Sequence, residues 1–509
     1  MRAFTSLLVF ALGCGALPST PDAGIAEEID AGIPDAGSPD AGGPALEHTF
    51  TSGRFTSTLT PRSSEAGFKV LRAGDRTLTF TITRHPDGSV SRRLRCTDAN
   101  GERWSRAEAA NERLTDFTVH PSGDISLGLE RLDHPRDAFE LIRLDPDGRE
   151  LHRQVLARPA TIPAGDQAAP FRMKGVQDGS VVTGWLPWLR LEARGEDLVL
   201  GLLSRVETPD DGGLISAVVA LQWAPGGGYG EQWARVVDAR HSPIAIAWQF
   251  DEFLWLDAAT RLLVSVRPDG SVLIGRTLAL ARCRSLQNVF AEIGDLRCRQ
   301  LGSLGSPHRY QPFAVTTFSP TGARLGTRVL APEGLEEFVI FDFAARGDQL
   351  AVAGTAVRRG PDGEPPFYFE PPSGTALSPY DGYLAVLELT GGAVVREQFI
   401  DLGRAEHLVT VKWTGEGLVA GGGANWNRWS GGMSLSRSAD PLLVFDSLDA
   451  PPLVRALDVA GLDRHALVWS LDVRDAHVLA VGQSDAPMTH SGDADPTQLV
   501  HGGLTLELQ

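Results

Sequence analysis

The stretch from Phe117 to Leu156, FTVHPSGDISLGLERLDHPRDAFELIRLDPDGRELHRQVL, limits most what this chain can become. Its residues alternate apolar and polar with the period of a strand and break at Ser122 to Asp124. They resume, loop around Asp133 to Arg136, and end in two further alternating runs joined at Asp147-Gly148. Variants of this four-strand unit recur from about Phe68 to the carboxyl end. A unit that repeats in this way stacks against copies of itself, because no single copy can bury its apolar face alone.

The first unit, Phe68 to Arg95, is compact and turns at Gly74-Asp75 and Asp87-Gly88. A third runs from Trp188 to Val237, and others start near Phe338, Leu408 and Ala466. Asx side chains and glycine at the turns satisfy the backbone demands of tight hairpins. In five units the second strand carries an aligned glycine: Gly128, Gly201, Gly354, Gly421 and Gly482, separated by 73, 153, 67 and 61 residues. The doubled gap places one hidden unit, enlarged by an insertion, in the less regular segment at about residues 238–335. The expected fold is all-β: a single β-propeller of about seven four-stranded antiparallel blades (range six to eight) over residues 46–509. A ring removes the open sheet edges that promote aggregation, and Leu46 to Leu59 can supply the strand that closes it. A pair of β-sandwiches is the competing arrangement.

HPSGDISLG with IRLDPDG, and ARGDQLAVAG with LELTGG, resemble the SBBP-like and quinoprotein-like bacterial propeller repeats, which pair a "dG…l.vaG" strand with a "…l..l.pdG" hairpin. The resemblance extends over most of residues 68–508 and implies a fold, not an activity.

Residues 1–13 combine a basic start at Arg2 with an apolar core from Leu7 to Leu12, the pattern of a secretory signal. The small-residue approach to Cys14 resembles the bacterial lipobox, in which the cysteine is lipidated. Ala11 stands where that motif usually has Leu, and an ordinary cleavage after Ala16 is the alternative. Residues 14–45 carry PDAG at Pro21, Pro34 and Pro39 and lack the apolar area to offset chain entropy, so a disordered tether is expected. Such PDAG tethers resemble those of lipoproteins from predatory and gliding soil bacteria. The expected address is the cell envelope, exported and lipid-anchored to a membrane through Cys14, with the outer membrane favoured. A formal charge of −17 and a pI near 5.2, with no basic run, exclude nucleic acid as a partner.

In an exported chain Cys283 and Cys298 are disulfide candidates, a closure that would contribute about 3 kcal/mol in the chain-entropy model. Cys96 is left over as a buried thiol. The longest loops all follow the second strand of a unit, which in a ring puts them on one face: Glu130 to Asp137, Ser204 to Gly213, Arg358 to Asp381, Ala424 to Asp440 and Ser484 to His501. Tyr368, Tyr380, Trp426 and Trp429 offer aromatic planes there, with His134 and His490 as polar groups; such planes stack on sugars or anchor a protein partner. Asp493 and Asp495 form the acidic pair that could take calcium, though no full calcium loop surrounds them, and no cofactor is predicted. HExxH, GxSxG, phosphate-loop and paired CxxC motifs are all missing. The expected function is therefore a non-enzymatic module that binds an envelope protein or polysaccharide. A propeller enzyme with an axial site (a quinoprotein-like dehydrogenase, lyase or hydrolase) and a structural part of an envelope assembly are the alternatives.

Overall fold

A computed structural model of the chain describes residues 45–50, 53–60, 65–84, 90–131, 139–157, 159–161, 189–206, 213–241, 262–277, 313–332, 334–358, 380–402, 406–424, 440–456, 465–474, 477–485 and 501–508. All described strands lie in one compact unit, Gly42–Gln509. The chain opens with a hairpin, β1 (Ala45–Phe50) and β2 (Gly53–Thr60). Blade one is β3 (Glu65–Ala73), β4 (Arg76–Arg84), β5 (Val90–Asp98) and β6 (Gly101–Ala107); blade two is β7 (Glu112–Val119), β8 (Ile125–Arg131), β9 (Phe139–Leu144) and β10 (Glu150–Leu156). Blade three is β11 (Leu189–Arg194), β12 (Asp197–Val206), β13 (Gly213–Ala224) and β14 (Gly228–His241); blade four is β15 (Leu262–Val266), β16 (Val272–Thr277), β17 (Phe313–Phe318) and β18 (Arg324–Leu330). Blade five is β19 (Leu335–Arg346), β20 (Gln349–Arg358), β21 (Tyr380–Glu388) and β22 (Val394–Ile400); blade six is β23 (His407–Trp413), β24 (Leu418–Ala424), β25 (Asp440–Asp446) and β26 (Leu453–Ala456). Blade seven takes β27 (His465–Arg474), β28 (His477–Asp485) and β29 (His501–Leu508) from the carboxyl end, and β2 and β1 from the amino end, in the order β1-β2-β29-β28-β27.

Six sheets are thus four-stranded antiparallel blades and the seventh has five strands. The first strand of each blade packs beside the first strand of the next, from β3 through β7, β11, β15, β19 and β23 to β27, which returns to β3. That cycle is a closed propeller. As expected from Leu46 to Leu59, the amino end closes the ring, with a hairpin in place of a single strand. In blade one the sequence reading missed the fourth strand β6, whose residues are mostly exposed and show no apolar alternation. The hidden unit is blade four. Its inserted residues 278–312 fall between β16 and β17, at the same connection as the other long loops.

The apolar core lies between blades. Leu78, Phe80 and Leu94 of blade one meet Phe117, Leu127 and Ile142 of blade two in one cluster, and similar clusters join the following pairs through blade six. This packing explains three of the aligned glycines. A Cβ at Gly201 would stand 2.5 Å from Val264 of the next blade, and at Gly421 2.7 Å from Val468; at Gly128 it would collide with Leu189. Blade four supplies the glycine missing from the sequence series, Gly275, whose Cβ would lie 2.6 Å from Phe343.

Four hairpins share one turn chemistry, HPSGD, DPDGR, RPDGS and SPTGA. In each the glycine (Gly123, Gly148, Gly270, Gly322) adopts φ between 79° and 86°, the left-handed region that glycine reaches without steric cost. Two of these turns also receive the preceding blade. Trp104 Nε1 donates to Pro146 O at 3.0 Å and Trp233 Nε1 to Pro320 O at 2.8 Å, each indole lying over the turn glycine. Arg328 and Arg396 of later fourth strands grip the next turn through Leu389 O (2.9 Å) and Leu448 O (2.6 Å). Fourth strands therefore latch blade to blade at the rim.

Candidate functional site at the ring axis and the long-loop face

An innermost strand has one edge without a strand partner, so its outward N–H groups need acceptors. The ring supplies them from the neighbouring blade. Asp116 Oδ2 accepts from Leu191 N at 2.8 Å and Thr118 Oγ1 from Ala193 N at 3.2 Å; Asp342 Oδ2 accepts from Val411 N at 3.1 Å. Across the closure, Ser470 Oγ accepts from Val70 N and Asp472 Oδ2 from Arg72 N, both at 3.2 Å. The same first strands gather charge. Lys69 Nζ donates to Asp116 Oδ1 at 2.8 Å and Phe117 O at 2.7 Å, Arg190 lies 3.8 Å from Asp116, and Arg72 lies 3.8 Å from Asp472.

Glu192 belongs to this group. Burial raises its carboxyl above the usual range, Lys69 and Lys412 oppose the rise, and Asp116 and Asp342 add to it. Burial raises Asp472 as well, against Arg474, Arg72 and Lys412. Cations and anions from blades one, two, three, five, six and seven thus converge on the axis. Toward the long-loop side the axis is apolar: Val339, Phe341 and Val409 cluster with Trp469, whose ring centroid is 5.4 Å from that of Phe68. Phe68, Phe341, Val409 and Trp469 all sit at irregularities in the pairing of first and second strands, which turn them out of the ladder.

The ends of the second strands, where the long-loop connections leave the described residues, fall on one face of the ring. Of the residues singled out there, only Tyr380 has a described backbone, paired with Val357 at the start of β21. His134, Tyr368, Trp426, Trp429, His490, Asp493 and Asp495 lie outside the described residues, as do Cys14, Cys283 and Cys298. Cys96 is described and buried, and its thiol pKa is raised by burial.

That face carries a group the sequence reading missed. Asp381 at the start of β21, Asp401 after β22 and Glu406 before β23 bring one carboxylate oxygen each within 4.8 Å of one another. Arg358, at the end of β20, donates from Nε to Asp381 Oδ2 at 2.6 Å and from Nη2 to Asp401 Oδ2 at 3.0 Å. Thr355 Oγ1 ties the same ends together through Asp381 O and Glu406 O. The guanidinium already serves as the cation here, so a metal ion would have to displace it.

Burial pushes Asp381 up to about 6 from 3.8, with Arg358 pulling down and Asp401 adding to the rise. The neutral acid is therefore favoured in the fold, and its stabilisation is full below about pH 4 and lost as pH rises through 6. Asp381→Asn keeps the neutral acceptor. It should melt with the parent at pH 4 and gain roughly 2–3 kcal/mol over it by pH 7.5. A difference in melting temperature that stays flat from pH 4 to 7.5 would remove this reading.

Between blades two and three lies a buried polar chain. Arg143 Nη1 donates to Tyr229 Oη at 3.5 Å, Tyr229 Oη lies 2.6 Å from Ser126 Oγ, and Ser126 Oγ lies 2.7 Å from His120 Nε2. His120 Nδ1 faces Gly195 O at 2.9 Å, which fixes Nδ1 as the protonated nitrogen and Nε2 as the acceptor. A serine beside a histidine is the arrangement of a nucleophile and its base, but here all four side chains are enclosed. With no surface for a substrate, the pair is structural. Burial holds His120 below the usual imidazole range, consistent with a neutral ring.

No family model matches the chain, and no curated protein sequence does. Solved structures similar to it include the β-propeller domain of the Trilobed protease from Pyrococcus furiosus, at 8% identity and a TM-score of 0.38, covering 83% of this chain and 92% of that one. A puromycin-hydrolyzing peptidase of Mycobacterium tuberculosis follows at 12% identity and 0.42, covering 84% and 53%. The α-L-arabinofuranosidase Arb93A of Fusarium graminearum gives 10% and 0.37, covering 78% and 93%. The closed cycle of seven antiparallel sheets, and not these distant likenesses, makes this chain a β-propeller.

Proposed function

We propose that the chain is a lipid-anchored module of the bacterial cell envelope that binds an envelope protein or polysaccharide through its long-loop face. One topological observation carries the reading. Ala45 pairs with Thr58 and Thr58 with Thr505, midway along β29, and β1 runs from there away from the end at which β29 begins after the 486–500 connection, so the chain approaches the folded body from the long-loop side. A tether rooted there and lipidated at Cys14 would turn the long loops toward the outer membrane. A tether of residues 15–44, if extended at about 3.1 Å per residue, would reach roughly 90 Å, enough to meet partners within the envelope. The aromatic planes of Tyr368, Tyr380, Trp426 and Trp429 would supply the contact, with His134 and His490 beside them.

Fractionation and capture test this directly. Cys14→Ser should move the protein from the membrane to the soluble fraction. Replacing 359–379 and 425–439 by short Gly-Ser links should abolish its capture on isolated cell envelopes while leaving its melting curve in place. Unchanged membrane association of Cys14→Ser would remove the anchor, and unchanged capture by the loop variant would remove the binding face.

A further inference from the structure

The geometry points to a second binding site, on the ring axis, for a small zwitterion whose ammonium and carboxylate are held apart, as in a short peptide or an ω-amino acid. It is independent of the long-loop face. The argument begins with which axial charges are already committed. Lys69, Asp116 and Arg190 form one connected group across blades one to three. Asp342 accepts from Thr410 Oγ1 at 3.1 Å and from Val411 N, and Asp472 is held by Arg72. These groups close the innermost strands on one another and have their partners.

Glu192 and Lys412 differ. Among the described residues neither side chain makes a hydrogen bond or an ion pair, although each stands within the other's field. Glu192 sits on β11 of blade three and Lys412 on β23 of blade six, three blades apart in a ring of seven and so on opposing walls. The two do not meet. A half-buried charge without a partner is costly, and the cost is relieved by a ligand that brings the opposite charge. Here the uncommitted charges among the described residues are one anion and one cation, carried on first strands three blades apart in the ring. A ligand that satisfies both presents an ammonium to Glu192 and a carboxylate to Lys412 with a spacer between. Asp116 and Asp342 near Glu192 reinforce the preference for a cationic end on that wall. The collar of Phe341, Val409 and Trp469 narrows the long-loop side of the axis, and an apolar rim of that kind favours a slender ligand over a branched one.

Calorimetric titration of the full chain with triglycine, N-acetyl-triglycine and triglycine amide tests this. The zwitterion should bind, and each singly charged probe should bind at least about tenfold more weakly, equal to about 1.4 kcal/mol. Glu192→Gln should erase the preference over the N-acetyl probe, and Lys412→Met the preference over the amide. Each variant removes a half-buried charge that has no partner among the described residues, so both should melt at or above the parent. The proposal is overturned if triglycine produces no binding, if the parent does not discriminate among the three probes, or if both variants retain its selectivity. The first two outcomes need no variant, so a substitution that unfolded the ring would not protect the idea.

Discussion

Arg143→Ala is expected to lower the unfolding free energy by about 3–5 kcal/mol, the range for removing one partner of a buried charge network. Arg143 is almost wholly enclosed, yet it uses its guanidinium in every direction. Nε donates to Asp124 Oδ2 at 2.9 Å, Nη1 to Glu196 O at 2.9 Å, Nη2 to the Glu196 carboxylate, and the plane lies 4.4 Å from the Trp223 ring. Burial works against its charge, while Tyr229, Glu196 and Asp124 together hold it protonated. Truncation leaves the Glu196 carbonyl and the Tyr229 hydroxyl without that donor and opens a cavity beside Trp223. Glu196 is nearly half exposed, so its share of the Coulomb energy is screened; most of the loss comes from the enclosed acceptors and the cavity. Arg143→Met, which refills the volume without the donors, should recover the packing part alone, and Arg143→Lys should fall between because one ammonium cannot serve divergent acceptors. Equilibrium denaturation decides it. A loss under about 1 kcal/mol for Arg143→Ala would mean that the Arg143 network adds little to the other contacts between blades two and three.

What could be read from the sequence followed from how local its cause is. HPSGD, DPDGR, RPDGS and SPTGA announce their hairpins because the turn demands a positive φ within five residues, and nothing distant can change that demand. The aligned glycines were visible as a series, but their reason was not. Gly201 is small because Val264, in another blade, occupies the space. β6 escaped notice because an outermost strand with one wet face has no need of apolar alternation.

The axial charges were hidden for a different reason. Asp116, Glu192 and Lys412 look like ordinary polar positions in alternating strands, and they come together only when the ring closes. One signal was available. TDFTV, RLEAR, FDFAA, TVKW and SLDVR each put a charged residue inside the first strand of a unit, where a core-facing strand would be expected to stay apolar. Read as a set, these residues mark the strand edge that faces the axis. The Arg358, Asp381, Asp401 and Glu406 group left no such mark, since its members come from four strand ends with loops between them.

Removing residues 1–60 should unfold or aggregate the chain under conditions in which removing residues 1–44 leaves it intact. β2 supplies the outer partner of β29, from Phe55 opposite Leu508 to Thr60 opposite Gly503, and β1 in turn covers β2. These ladders join the two ends of the chain, and no other blade contains strands from both. Without them blade seven keeps only β27, β28 and β29, and the edge of β29 becomes a template for pairing with another molecule. Six paired positions at roughly 0.5–1.5 kcal/mol net per hydrogen bond put the loss on the order of 5 kcal/mol. The described ladders begin at Ala45, and removal of residues 1–44 should leave the melting temperature unchanged. A synthetic peptide of residues 45–62 added to the shortened chain should restore its melting curve by adding strands to the open edge, as other sheets accept a strand in trans. If the chain beginning at residue 61 melts with the chain beginning at residue 45, the ring is held shut by the packing of β3 against β27 and β28, and the amino-terminal hairpin is a cover instead of a clasp.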